Sequence, residues 1–233
     1  MLTFRKALLA SFTLILCCFG STAIVQADPV VVDPVGDTFG VGPVQLDISS
    51  INGTVSGSSL TFAVTFVSAI APPSSSLPNS VVGFIDIDAD QNRFTGAPPF
   101  QGVFGPPPAP LLGDEFFVDL GSEASHPGLV DIRNAVTFAL TGLAPITYTS
   151  TSFSVTVPLA FLGGDNGIVN YGVIIGTFSE PTDEAPNGTI PATSGPPRAP
   201  VPEPATLLLL VTGLAGGALK ARGRRKDNYR SSQ

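Results

Sequence analysis

Short apolar runs with alternating side chains recur through the middle of this chain, and they predict strands rather than helices. The clearest run is residues 60–67, where leucine, phenylalanine, valine and phenylalanine occupy every second position and share one face of a strand. Glycine, proline, serine and asparagine separate the runs, as they do between the short strands of β domains. Because helical periodicity is nearly absent between residues 28 and 200, we expect an all-β fold.

The predicted strands follow one another closely, and residues 129–140 form either one long strand or two short ones. They fall at residues 44–51, 60–67, 81–88, 115–120, 129–140, 146–157 and 168–178. Asn52-Gly53 is expected to form the turn after the first strand. The pattern favours an antiparallel β-sandwich of about seven to nine strands, and a closed barrel is the alternative.

A single body of ordinary size is expected between two terminal segments. Residues 28–179 carry the predicted strands and form the predicted ectodomain. Residues 180–200 are rich in proline, threonine and serine, so we expect them to form an extended linker. An N-terminal signal helix and a C-terminal transmembrane helix are expected to flank the body.

The N-terminus has the three parts of a secretory signal peptide, predicted at residues 1–27. Two basic residues at positions 5 and 6 precede the apolar stretch 7–19, and small residues stand at −3 and −1 of a cleavage site. We expect signal peptidase to cut between Ala27 and Asp28. Both cysteines of the chain lie in the apolar stretch, so the exported part has no disulfide and no thiolate metal site.

The body is much more acidic than the whole chain. Residues 28–200 hold 16 acidic residues, three arginines and no lysine, a net charge of −13 against −7 for the full sequence. Such a surface repels nucleic acid and anionic lipid, which excludes a nucleic-acid partner. The same charge either attracts divalent cations or keeps an exported protein soluble, and composition leaves both open.

The C-terminal segment 201–226 combines a rigid tetrapeptide, an apolar run and a basic cluster. The prolines of Val201-Pro202-Glu203-Pro204 favour extended backbone that is accessible to a processing enzyme. Residues 205–219 carry no charge. As a helix they would extend about 22 Å, short of the roughly 30 Å hydrocarbon core of a membrane. The lysines and arginines that follow favour a cytoplasmic C-terminus.

These three parts, in this order, resemble a PEP-CTERM sorting signal. The resemblance implies recognition by an exosortase, cutting near the Pro-Glu-Pro and only transient residence in the inner membrane. It also implies export to the cell surface or medium of a Gram-negative bacterium that makes exopolysaccharide or biofilm. An ordinary C-terminal membrane anchor with a coincidental Pro-Glu-Pro is the alternative.

The strongest local pattern in the body is an Asp-rich segment at the end of a predicted strand. Asp86, Asp88, Asp90 and Asn92 lie two residues apart, and Asp114 is expected to add a ligand from a neighbouring strand. Such oxygen ligands are typical of Ca²⁺. The segment is not an EF-hand, because it lacks that motif's invariant glycine and its final glutamate. A solvated turn, in which Asp side chains cap backbone amides, is the alternative.

Residues 83–96 and 113–121 also resemble, weakly, DOMON-like and carbohydrate-binding β-sandwich modules. The resemblance implies a ligand- or sugar-binding domain stabilised by metal. However, the body has no tryptophan for a sugar platform. Phe94, Phe100 and Phe104 are the loop aromatics that would replace it, and buried anchors are the other interpretation of these rings.

The chain offers little with which to build an enzyme. His126 is its only histidine, and neither a G-x-S-x-G nor an H-E-x-x-H motif occurs. We therefore expect no catalytic activity and predict a surface or matrix protein. A carbohydrate-binding module acting on exopolysaccharide is the second hypothesis, and a secreted hydrolase is the least favoured.

Overall fold

Strands make up most of the regular structure of the chain. The computed structural model describes residues 30–177 and 179–196. The strands in this part are β1 (Val31–Val32), β2 (Ile48–Ser56), β3 (Ser59–Phe66), β4 (Gly83–Asp88), β5 (Phe116–Asp119), β6 (Leu129–Asn134), β7 (Leu140–Tyr148), β8 (Ser152–Pro158), β9 (Asn170–Gly176), β10 (Pro181–Ala185) and β11 (Ala192–Thr193). The helical elements are a single turn of α-helix, α1 (Phe100–Phe104), and short 3₁₀ helices at Pro73–Ser75, Leu120–Ala124 and Leu159–Leu162. The all-β prediction is confirmed.

The strands pair antiparallel throughout and form one continuous sheet. Its order is β1-β2-β3-β8-β7-β6-β5-β4-β9-β10, and β11 pairs with the remaining part of β9. Residues 129–140 contain strand β6, a turn and only the first residue of β7, so neither one long strand nor two short strands fills this run. A single sheet therefore contains strands from both the N-terminal and the C-terminal halves of the described chain.

The sheet curls until its two ends meet, so the domain is barrel-like. Gly195, two residues after the end of β11, bridges Thr54 of β2. The Val55 N–H donates to the Gly195 carbonyl at 2.8 Å, and the Gly195 N–H donates to the Gly53 carbonyl at 3.0 Å. The predicted sandwich is therefore wrong and the barrel alternative is closer. Alternation along strands sets which side chains face inward, but does not say whether the outermost strands pair.

The predicted turn at Asn52-Gly53 is also wrong, because both residues lie inside β2. The chain turns instead at Gly57, whose positive φ of 59° suits the hairpin between β2 and β3. Gly53 allows close packing: a Cβ there would lie 2.9 Å from the ring of Tyr171. That ring packs against Phe62 with centroids 5.0 Å apart, inside the barrel.

A second, smaller apolar cluster covers the outer face of the sheet. In β4, Ile85 and Ile87 belong to the interior core, whereas Phe84 belongs to the outer cluster. Helix α1 lies in the Pro-rich segment 98–110 and supplies Phe100, which stacks on Phe84 at 4.1 Å, and Phe104. This segment therefore forms a lid over the outer face of β4.

The described part of the segment predicted as a linker, residues 180–196 of 180–200, contributes strands to the sheet. β10 pairs antiparallel with β9, and its residues from Thr182 to Ala185 are buried. β11 and Gly195 then complete the ring. The proline, threonine and serine content of this segment favoured an extended linker. A strand as short as β10 forms because it pairs with β9, and composition does not reveal that pairing.

The part of the chain that the structure describes contains no helix of sufficient length and apolarity to span a membrane. The predicted signal peptide with its Ala27–Asp28 cleavage site lies outside the described residues. The Pro-Glu-Pro segment and the apolar run 205–219 lie outside them as well.

Candidate functional site

The Asp-rich segment and the start of β5 meet at one end of β4. The chain leaves β4 after Asp88, forms a long loop and returns beside its own beginning. Ala97 and Asp114 exchange two backbone hydrogen bonds of 2.8 Å there. A Cβ on Gly113 would lie 2.1 Å from the Thr95 carbonyl oxygen, so the two sides of the loop are in close contact.

Three carboxylates converge at this crossing. One carboxylate oxygen from each of Asp88, Asp90 and Glu115 lies within 4.8 Å of the others. Asp88 is buried at the end of β4, Glu115 is half-buried before β5, and Asp90 is exposed. Three oxygen donors with one exposed side form a partial shell for a hard cation such as Ca²⁺, which takes about 6–8 oxygens including water.

The buried carboxylates are oriented by hydrogen bonds that leave one oxygen of each without a partner. Asp88 Oδ1 accepts from the Asn92 N–H at 3.0 Å, and Glu115 Oε2 accepts from the Ala89 N–H at 2.8 Å. Among the described residues, Asp88 Oδ2 and Glu115 Oε1 are buried without a hydrogen bond. Buried carboxylate oxygens are costly to leave unpaired, and a cation would satisfy both.

The electrostatics of the three carboxylates also favour binding of a cation. Burial raises the pKa of Asp88 and of Glu115, and the charge of Asp90 raises both further. Backbone N–H groups oppose this rise without cancelling it. A bound cation would reverse the penalty by favouring the charged forms.

Asp86 and Asp114, both predicted as ligands, form a separate buried pair. Asp86 accepts from the N–H groups of Phe100 and Gln101, the latter at 3.2 Å, and so holds helix α1 against the sheet. Burial raises the pKa of Asp86 to about 7. Burial and then the charge of Asp86 raise the pKa of Asp114 to about 10, so the pair retains a shared proton at neutral pH.

Asn92, the other predicted ligand, shapes the turn. Its N–H donates to Asp88 and to Asp90, and its side-chain Oδ1 accepts from the Phe94 N–H at 3.3 Å. The capping hydrogen bonds of the turn alternative are therefore present alongside the three converging carboxylates.

Sequence reasoning missed Glu115, which contributes the third carboxylate. The pairing of Asp86 with Phe117 and of Ile87 with Phe116 places Glu115 opposite Asp88. Directly opposite residues share a face of a sheet, so this register brings the two side chains together. Only the register reveals the pair.

The three loop phenylalanines have different environments. Phe100 and Phe104 pack in the outer apolar cluster, as buried anchors would. Phe94 is 83% exposed, with the Arg93 guanidinium 4.6 Å from its ring centre. It borders a shallow groove of about 490 Å³ whose other walls include Pro98 and Leu111.

The single histidine is a surface residue. His126 lies 3.6 Å from Asp131, which also forms a 2.6 Å ion pair with Arg133. His126 precedes β6, and both Asp131 and Arg133 lie in that strand. Among the contacts of the described residues, no nucleophilic side chain lies beside the imidazole.

Beyond the described body, residues 200–226 match the family model of the PEP-CTERM protein-sorting motif. The chain carries a PEP-CTERM sorting motif. The match includes Val201, Pro202, Glu203 and Pro204, the apolar run and the basic cluster. The motif marks an exported protein that an exosortase sorts at the membrane toward the cell surface. No similar curated protein and no similar solved structure was found. The DOMON-like resemblance of the body stays a prediction.

Proposed function

We propose that this chain is a non-catalytic protein of the cell surface or extracellular matrix of a Gram-negative bacterium. An exosortase removes its tail near Pro202-Glu203-Pro204, and Ca²⁺ stabilises its barrel-like body at Asp88, Asp90 and Glu115. The observation that carries the proposal is the sorting motif at residues 200–226. Exopolysaccharide of the same cell is the partner class that the motif's usual context favours.

The arrangement of acidic groups supports a structural rather than a catalytic body. The carboxyl pair that most resembles a catalytic dyad, Asp86 and Asp114, lies beneath helix α1, with each residue at most 1% exposed. A substrate has no path to it unless the segment above it moves. The pair instead fastens that segment to the sheet.

Calcium fits the site better than a transition metal does, because the site offers carboxylates and neither histidine nor cysteine. Extracellular modules bind Ca²⁺ with dissociation constants of about 10⁻⁴–10⁻³ M, a range suited to an exported protein. The ion would tie the beginning of the loop that joins β4 to β5 to its end, where the unpaired oxygens of Asp88 and Glu115 lie.

Sorting is tested in a host that contains an exosortase and in its exosortase-deficient derivative. We expect the wild-type protein to reach the surface or medium with a mass that lacks the tail. A variant with alanine at positions 202, 203 and 204 should remain in the membrane fraction with its tail intact. Asp227→Ala, one residue beyond the motif, is the matched control and should behave as wild type. Surface protein that still carries residues 205–219 would contradict removal of the tail.

A carbohydrate-binding body is a second candidate, favoured by the exposed ring of Phe94 beside a groove and the candidate calcium site. Its test is retention of the protein on exopolysaccharide purified from the host. Phe94→Ala should abolish retention, while Phe138→Ala, which changes another exposed phenylalanine, should not. Failure of the wild-type protein to bind would rule this candidate out and leave the sorting proposal intact.

A further inference from the structure

A second group of carboxylates lies between the N-terminal segment and β10. Residues 33–47 connect β1 to β2 without regular structure. Backbone hydrogen bonds hold this connection to its neighbours: the Asp33 N–H donates to Ser49 and the Phe39 N–H donates to Thr182, both at 3.0 Å. A connection of this length without strands or helices needs other interactions to fix it.

Carboxylates from both segments converge here. One oxygen from each of Asp33, Asp37 and Asp183 lies within 4.8 Å of the others. Asp33 is 2% exposed and Asp183 is fully buried, whereas Asp37 is exposed. This group has two buried carboxylates and one at the surface, whereas the loop site has one buried, one half-buried and one exposed carboxylate.

Hydrogen bonds orient the group but do not satisfy it. Asp183 accepts from the Ile48 N–H at 2.6 Å and from the Glu184 N–H at 2.9 Å, which fixes its carboxylate. Asp33 Oδ2 is buried and has no hydrogen-bond partner among the described residues, and the same holds for Oδ1 of the adjacent Asp47. An unpaired oxygen on a side chain as buried as Asp33 needs a partner from outside the protein.

No cationic side chain of the described ranges supplies that partner. Their two arginines are engaged elsewhere, Arg133 with Asp131 at 2.6 Å and Arg93 over the ring of Phe94. Burial and then the charges of Asp183, Asp37 and Asp47 raise the pKa of Asp33 to about 8. Four carboxylates of one sign therefore share a small, partly buried space.

We propose that Asp33, Asp37 and Asp183, with Asp47 beside them, bind a second Ca²⁺ that clamps the β1–β2 connection to β10. The donors are all oxygens, which excludes a preference for soft metals. They come from irregular backbone as well as a strand, a geometry that Ca²⁺ tolerates better than the strictly octahedral Mg²⁺. The site depends neither on the sorting motif nor on the loop site at Asp88, Asp90 and Glu115.

The test is a calcium titration of the purified full chain in mild detergent, by calorimetry, with Mg²⁺ as the comparison ion. Asp37→Asn and Asp90→Asn form a matched pair, because each removes the exposed carboxylate of one site. We expect two Ca²⁺ per wild-type chain and one tight Ca²⁺ in each variant, with at least about tenfold weaker binding at the altered site.

Hydrogen exchange of residues 34–46 locates the effect. Calcium should slow exchange there in the wild-type protein and in Asp90→Asn, but not in Asp37→Asn. Asp33→Asn, checked for folding by circular dichroism, should repeat the Asp37→Asn result.

The possible outcomes separate the two sites. A single Ca²⁺ that Asp90→Asn removes would overturn the second site and leave the loop site standing. A single Ca²⁺ that only Asp37→Asn removes would do the reverse. Calcium-independent exchange in residues 34–46 of the wild-type protein would overturn the clamp.

Discussion

At the scale of single residues, neighbouring carboxylates in this protein have different roles. Asp114 and Glu115 are adjacent in sequence, yet Asp114 shares a proton with buried Asp86, whereas Glu115 faces Asp88 with a free oxygen. Asp114 lies outside the group of carboxylates whose oxygens converge within 4.8 Å, whereas Glu115 belongs to that group with Asp88 and Asp90. The structure therefore replaces Asp114 by Glu115 in the candidate site.

Amide substitutions distinguish these two roles. Glu115→Gln should weaken Ca²⁺ binding at the loop site by about tenfold or more, a loss of about 1.4 kcal/mol. Asp114→Asn should change the affinity less than about threefold, which is under 1 kcal/mol, because Asp114 lies outside the three converging carboxylates. Calcium calorimetry on both variants is the measurement. The reverse order of effects would restore Asp114 as the ligand.

At the scale of elements, the last strands show how strongly pairing outweighs composition. The segment 181–196 has the prolines and small polar residues of a spacer. Nevertheless β10 extends the sheet beside β9, and Ala185 and Ala192 belong to the interior core. Gly195 then joins β2. The body therefore extends to within a few residues of the sorting motif along the chain.

Truncation tests the role of these strands. A chain that ends after Ser179 loses β10, β11 and the Gly195 bridge, and it should show no cooperative thermal unfolding. A chain that ends after Pro197 keeps all three and should melt as the longer protein does. Circular dichroism during heating measures both. Equal melting of the two truncated chains would mean that residues 180–200 are a linker after all.

At the scale of the whole molecule, a cysteine-free acidic body must be stabilised by its core and by counter-ions. Residues 28–200 contain no cysteine and therefore no disulfide, so barrel closure and the interior apolar cluster provide the cohesion. Two groups of converging carboxylates lower the stability of the folded state, because like charges repel when they are close and partly buried. Divalent cations from the medium would remove this repulsion and cross-link the segments that carry the carboxylates.

Calcium should therefore raise the melting temperature of the whole protein. We expect an increase of several degrees at about 1 mM Ca²⁺, and reversal by excess EDTA, because ligands that bind only the folded state stabilise it. Equal concentrations of Mg²⁺ should give a smaller increase. Sodium chloride of matched ionic strength controls for screening of the net negative charge. A melting temperature unaffected by Ca²⁺ and EDTA would count against both proposed sites.

The sequence alone determined the all-β class, the inward faces of the strands and the sorting motif. Each depends on residues close together in the chain: period-two alternation, turn residues, and a short motif read in order. The sequence also located the acidic loop, since Asp86, Asp88 and Asp90 occupy every second position of one short segment.

Only the tertiary structure decided the closure of the sheet, the strand at residues 181–185 and the choice of Glu115 over Asp114. These depend on which distant strands pair and in which register, as when β4 meets β5 with Ile87 opposite Phe116. The grouping of Asp33 with Asp183 has the same origin, because residues 150 positions apart become neighbours only when β10 joins the sheet. Such long-range pairing is set by the free energy of the whole fold, and no local pattern encodes it.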